Sequence, residues 1–210
     1  MDIGQIYLIA LIIIGITSMV IFISLDWRVS VISLALLYVG VFILVSISWP
    51  QQMAAVKLVA GWMSGAILGL AMAGKPGLRQ GDNILAGRSY KNSPQPRILS
   101  ESFFRFSTGV MVILAVVSIS FNMQDWVPEI GIYQIIAGLL LIGVGLLQLG
   151  FTSQSLNVAL GLLIVLAGFE ILYAAVEISA LVAGLLAGVN LGIALIGAYL
   201  INLANLRASS

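Results

Sequence analysis

Seven apolar runs, each about as long as the 20 residues a helix needs to cross a bilayer, take up most of this chain. They cover 6–24, 29–48, 52–73, 103–121, 130–150, 156–176 and 178–203. The chain is 61% hydrophobic and 8% charged, against about 25% charged in a soluble domain. No soluble core hides that much apolar surface, so lipid is the expected solvent. The predicted fold class is an all-α integral membrane protein with seven transmembrane helices.

The prolines support this division. Pro50, Pro76, Pro94, Pro96 and Pro128 all fall between the runs, as expected of a residue that removes a helix donor and clashes with the preceding turn. No run is kinked by proline, so the broken helices of transporters are not signalled. The last two runs are the hardest to separate, because 156–203 contains no proline or Asn-Gly pair. The turn is expected near Glu177 and Ser179, where Glu177 is the strongly polar residue. The start, Met1-Asp2-Ile3-Gly4-Gln5, lacks the basic opening of a cleavable signal, so the first run reads as a retained helix.

Composition excludes several functions. The net charge of +1 gives no electrostatic case for nucleic-acid binding. The chain has no cysteine and no histidine, so the usual ligands of iron–sulfur clusters, haem and zinc are missing. No cofactor or metal is expected. No nucleophile is paired with a base, and Gly74-Lys75-Pro76-Gly77 is a turn rather than a phosphate-binding loop.

Positive charge sets the expected orientation. Arg28 follows the first run, Arg207 the seventh, and Lys75, Arg79, Arg88, Lys91, Arg97 and Arg105 lie between the third and fourth. Asp2, Asp125, Glu129 and Glu177 fall on the other side. This places the C-terminus in the cytoplasm and the N-terminus outside. The organisation reads as helices one to three over 1–74, a polar basic loop over 75–102, a spacer helix and outer loop over 103–128, and helices five to seven over 129–210. The loop, rich in Gly, Pro, Asn and Ser, follows the positive-inside pattern. Its basic residues are also suited to anionic headgroups.

The chain also resembles itself. Gly40-Val41-Phe42-Ile43-Leu44 parallels Gly168-Phe169-Glu170-Ile171-Leu172, and Ala60-Gly61 with Gly65 parallels Ala187-Gly188 with Gly192. This points to two parallel three-helix repeats joined by a spacer helix. Gly61, Gly65 and Gly69 form a small-residue face, as do Gly184, Gly188 and Gly192. Such faces let helix backbones approach closely. Packing within the subunit is the expected use, and a partner's helix the alternative.

One acid stands out. Glu170 lies inside the sixth run, where a carboxyl group costs about 2.5–3.5 kcal/mol on insertion scales. Low dielectric disfavours its charged form unless a cation pairs with it, so it is a candidate for taking up and releasing protons. Glu177, two turns on, reads first as an interfacial acid and second as a relay partner, with Tyr173 between them. Lys57 is expected to snorkel to the interface, with pairing to Glu170 as the alternative. Asn190, Gln148 and Gln134 read as interhelical hydrogen bonds, Asn190 also as a candidate for the proton path.

Leu166-Ala167-Gly168-Phe169-Glu170-Ile171-Leu172 resembles the second helix of the K subunit of respiratory complex I, which carries a Gly-Leu-Glu-Ile pattern. Gly188-Val189-Asn190-Leu191-Gly192-Ile193-Ala194-Leu195 looks like that subunit's third helix. Seven helices with a polar linker after the third are similar in layout to the E component of hydrogenase-4, and Leu25-Asp26-Trp27-Arg28 matches the placement of polar residues there. The motifs cover helices five to seven and the layout covers the rest. The resemblance implies a subunit of a proton-translocating assembly in a prokaryotic inner membrane, beside antiporter-like membrane subunits, with Glu170 as the first acid of a proton path. The family's second acid has no counterpart, since Gly188 or Asn190 occupies that region. Either Glu177 substitutes, or a partner supplies the group, or the chain keeps a structural role. A free-standing transporter or channel and a purely structural membrane subunit are the alternative functions.

Overall fold

The computed structural model describes residues 3–24, 26–74, 97–126 and 130–209. Most of the expected basic loop, 75–96, lies outside the described residues. Among the described residues seven helices follow one another: α1 (Ile3–Ile23), α2 (Trp27–Val45), α3 (Gln51–Ala73), α4 (Arg97–Trp126), α5 (Ile132–Phe151), α6 (Ser155–Val176) and α7 (Ala180–Ser209). Each contains a stretch long and apolar enough to span a membrane. Their outward surfaces carry large apolar side chains such as Leu70, Phe103, Met111 and Leu181. The chain is an all-helical, multi-pass membrane protein by length and composition.

The turn between α6 and α7 falls at 177–179. Glu177 takes an extended conformation and is exposed, which ends α6 where a carboxylate can be hydrated. The fourth helix begins at Arg97 rather than at 103, directly after Pro96. Proline is tolerated at the edge of a first helical turn but not further in, so residues 97–102, four of them polar, extend the helix beyond its apolar span of Phe103–Met123. Arg105 is likewise not a loop residue. It is buried in α4, and its Nη1 donates to the Phe22 carbonyl at 3.4 Å. That carbonyl belongs to the last turn of α1, where backbone acceptors lack helical partners.

Helices α1, α2 and α3 pack in chain order, and so do α5, α6 and α7. The two groups then meet helix for helix: α1 on α5, α2 on α6, and α3 on α7, with α4 against α5 and α1. Parallel three-helix units laid side by side would meet in this order. The core lies between them, built from Leu34, Leu37, Tyr38 and Val41 of α2, Leu68 of α3, and Leu160, Ile164 and Ala167 of α6.

Glycine decides how closely these helices approach. A Cβ on Gly61 would fall 2.2 Å from Cγ of Tyr38, so the α3 glycine face seats α2, continuing at Gly65 against Leu34 and Gly69 against Val31. The matching face of α7 behaves differently, because among the described residues no other part of the bundle lies within 4 Å of a Cβ at Gly184, Gly188 or Gly192. Packing inside the subunit therefore holds for the α3 face and not for the α7 face. Helix α7 turns another side, with Ala183, Ala187, Asn190 and Ala194, toward the interior. Substituting Gly188→Leu is accordingly expected to leave the thermal midpoint of the isolated chain unchanged, a change within about 0.5 kcal/mol. Thermal unfolding followed by size-exclusion chromatography in detergent checks this, and a large loss would show that the face is covered.

The tightest seam is between α5 and α6, where Gly138 and Gly145 face Gly161 and Gly168. A Cβ at Gly168 would come within 2.6 Å of the Gly138 carbonyl oxygen, and one at Gly145 within 2.9 Å of the Gly161 carbonyl oxygen. A spacing of seven residues returns to the same helix face after two turns. Backbones in lipid gain from this approach through van der Waals contact.

Candidate functional site

Four polar side chains converge in the interior from four helices. Lys57 of α3 and Glu170 of α6 are each 1% exposed, and Lys57 Nζ lies 2.8 Å from Glu170 Oε1. Asn190 of α7 donates from Nδ2 to the same Oε1 at 3.0 Å. Tyr38 of α2 donates its hydroxyl to Asn190 Oδ1 at 2.9 Å. One continuous chain of contacts thus runs Tyr38–Asn190–Glu170–Lys57 across both three-helix groups.

The helices place these groups for identifiable reasons. Glu170 precedes the end of α6 at Val176 by six residues, and Lys57 follows the start of α3 at Gln51 by six, so each lies about 9 Å of helix from the same end of the bundle. Gly168 lets α6 press against α5 just before Glu170. Gly61, one turn after Lys57, leaves room for the Tyr38 ring, which holds the hydroxyl at Asn190. An isolated charge in a medium of low polarity is costly, and it persists when paired and hydrogen-bonded. Here each charge compensates the other, while Asn190 fixes the carboxylate. The second carboxylate oxygen, Oε2, is buried with no hydrogen-bond partner among the described residues.

This overturns the snorkelling expectation for Lys57, whose ammonium turns inward to an acid rather than out to water. Asn190 is an interhelical hydrogen bond, as read from sequence, and also a direct partner of the acid. Tyr173 and Glu177 are not joined to the cluster by any hydrogen bond among the described residues. The Tyr173 ring stacks on the outward-facing Phe169 at 6.0 Å, and Glu177 is exposed at the helix end, its carbonyl accepting the Trp49 indole N–H at 2.9 Å. Gln134 makes the expected interhelical contacts, donating to the Leu44 carbonyl and to Ser48 Oγ. Gln148 is buried, yet its Oε1 has no partner among the described residues.

Sequence reasoning passed over Tyr38. Its signal was a lone phenol deep inside an apolar run, away from the helix ends where tyrosine anchors to headgroups. A buried phenol usually finds a hydrogen-bond partner, which was reason enough to look for one on a neighbouring helix.

No group of three or more His, Cys, Asp or Glu capable of holding a metal occurs among the described residues. No protein-family model, curated protein or solved structure matches the chain.

Proposed function

We propose that this chain is a membrane subunit of a proton-translocating assembly of the complex-I-like or membrane-hydrogenase-like kind, and that Glu170 is the group that exchanges protons. The observation that carries the reading is the fully buried Lys57–Glu170 pair, 2.8 Å apart and shared between two helix groups. Intramembrane ionisable residues are rare, face the bundle interior, and mark ion or proton pathways. Protonating the carboxylate removes the charge that pairs with the ammonium, so exchange at Glu170 requires the Lys57 contact to loosen and re-form. Tyr38 and Asn190 extend the polar chain across α2 and α7.

The open glycine face of α7 supports a role within an assembly, since small-residue faces in lipid are suited to a second helix. Antiporter-like membrane subunits are the proposed neighbours. The seam between the cleft and the acid is lined by the buried apolar residues Leu68, Leu160, Ile164 and Ala167, which weighs against a free-standing channel, since that needs a continuous hydrated path.

The test is Glu170→Gln in the native assembly. The amide keeps an acceptor for Lys57 and Asn190, so the assembly is expected to stay intact by native electrophoresis. Proton uptake into vesicles is expected to fall by about tenfold or more, in the range that loss of a positioned acid–base group costs. Wild-type uptake in that variant would remove the proposal.

A further inference from the structure

The two ends of the bundle are closed differently. At the end nearer the ion pair, the α2–α3 and α6–α7 turns are tied by the Trp49 indole to the Glu177 carbonyl. Gln134 of α5 ties the end of α2 through the Leu44 carbonyl and Ser48. At the opposite end a cleft of about 420 Å³ opens among Trp27 of α2, Met72 of α3, Ser155 and Asn157 of α6, and Ile201 of α7. These are the four helices that hold the polar cluster.

The coincidence extends to the helix faces. From Met72 the α3 stripe runs Leu68, Gly65, Gly61, Lys57. From Asn157 the α6 stripe runs Leu160, Ile164, Ala167, Glu170. From Ile201 the α7 stripe runs Gly197, Ala194, Asn190. Every one of these residues is buried, and steps of three or four residues keep one helix face. The cleft and the ion pair are therefore two ends of one inward-facing seam. The seam is packed throughout, and its cleft-side end closes first, since a Cβ on Gly197 would lie 2.7 Å from Ala159 Cβ and 3.0 Å from Leu68 Cδ2. Three helices touch there. On the cluster side of that contact Ser64 is buried with its hydroxyl donating to the Ala60 carbonyl, and beyond it Oε2 of Glu170 has no partner among the described residues.

We propose that this cleft is the aqueous mouth of the buried carboxylate, and that the packed apolar seam beginning at the Leu68–Ala159–Gly197 contact is the closure between them. Resting on the proton reading above, it fixes the side from which protons arrive. Hydrated protons enter at Asn157 and Ser155, and the closure conducts only when water fills it, as in apolar constrictions that gate by dewetting. At the acid, a hydronium gives its proton to Oε2 and leaves as water, the new O–H bond balancing the one broken.

The absence of native cysteine allows a direct test in sealed vesicles with a charged, membrane-impermeant methanethiosulfonate reagent. Asn157→Cys, in the mouth, is expected to react from the face of the membrane that bears the 152–154 turn and not from the other. Ala194→Cys, on the cluster side of that contact, is expected to be protected in the otherwise native chain. Adding Leu68→Ala is expected to raise its reaction rate by about tenfold, as a modest shift toward the wetted state would. Where Leu68→Ala does not give a monodisperse protein, Leu68→Val is the milder opening of the same contact, with a smaller rise expected. An unreactive Asn157→Cys, or an Ala194→Cys indifferent to the size of residue 68, overturns the proposal. Labelling is read chemically and does not depend on pumping. Failure of the mouth therefore appears here, and failure of the proton role appears in Glu170→Gln.

Discussion

Lys57→Met is expected to destabilise the chain by about 3–5 kcal/mol, the cost of stripping one partner from a buried pair and leaving the other charge uncompensated. Methionine fills most of the volume of the lysine stem, so the loss is one of charge and hydrogen bonding more than of packing. What remains is the Glu170 carboxylate with Asn190 as its hydrogen-bond partner, on a residue only 1% exposed. No water-filled surface is near enough for the side chain to escape by rotation, because six residues of α6 separate it from the helix end. Adding Glu170→Leu should recover most of the loss, since an apolar pair of similar volume needs no solvation. Thermal unfolding in a mild detergent, read by the monodisperse peak, measures both variants. A Lys57→Met protein as stable as wild type would show that the ammonium contributes nothing to holding the two helix groups together.

The second large effect is expected at Gly168. An alanine there would place its Cβ 2.6 Å from the Gly138 carbonyl oxygen and 2.9 Å from the Ile142 backbone nitrogen. Neither neighbour is a side chain that can turn away, so α5 and α6 must separate. Overpacking of this kind costs about 1–3 kcal/mol. The displaced helix also carries Glu170, two residues on, so the contact with Lys57 lengthens. Gly168→Ala is thus expected to lower both the stability of the chain and proton uptake by the assembly, whereas the open-face Gly188→Leu leaves the stability of the isolated chain unchanged. Equal tolerance of both substitutions would contradict the seam.

Much of this architecture could be read from the residues alone. Apolar run length and proline placement are properties of single segments, and they located all seven helices and the 177–179 turn. Lysine and glutamate deep in such runs were conspicuous for the same reason: lipid makes an isolated charge costly wherever it points. Pairing was less legible, because it depends on how α3 and α6 are rotated and packed, and no run encodes its neighbour. The glycines illustrate the difference. Gly184, Gly188 and Gly192 have the spacing of a packing face but meet nothing among the described residues, whereas the seam that holds α5 to α6 uses a spacing of seven that a search for glycines four apart passes over. Tyr38 was hidden by its own chemistry, since its ring fits an apolar stripe and only its hydroxyl betrays a partner.

The proposal that the two helix groups are joined through mutually dependent charges is tested most directly by a double-mutant cycle. Unfolding free energies are measured for wild type, Lys57→Met, Glu170→Gln and the double variant in one detergent. A coupling of about 2 kcal/mol or more, with the double variant more stable than the sum of the single losses implies, is the predicted result. Additivity within about 0.5 kcal/mol would mean that the ammonium and the carboxylate do not sense one another, and would contradict the account.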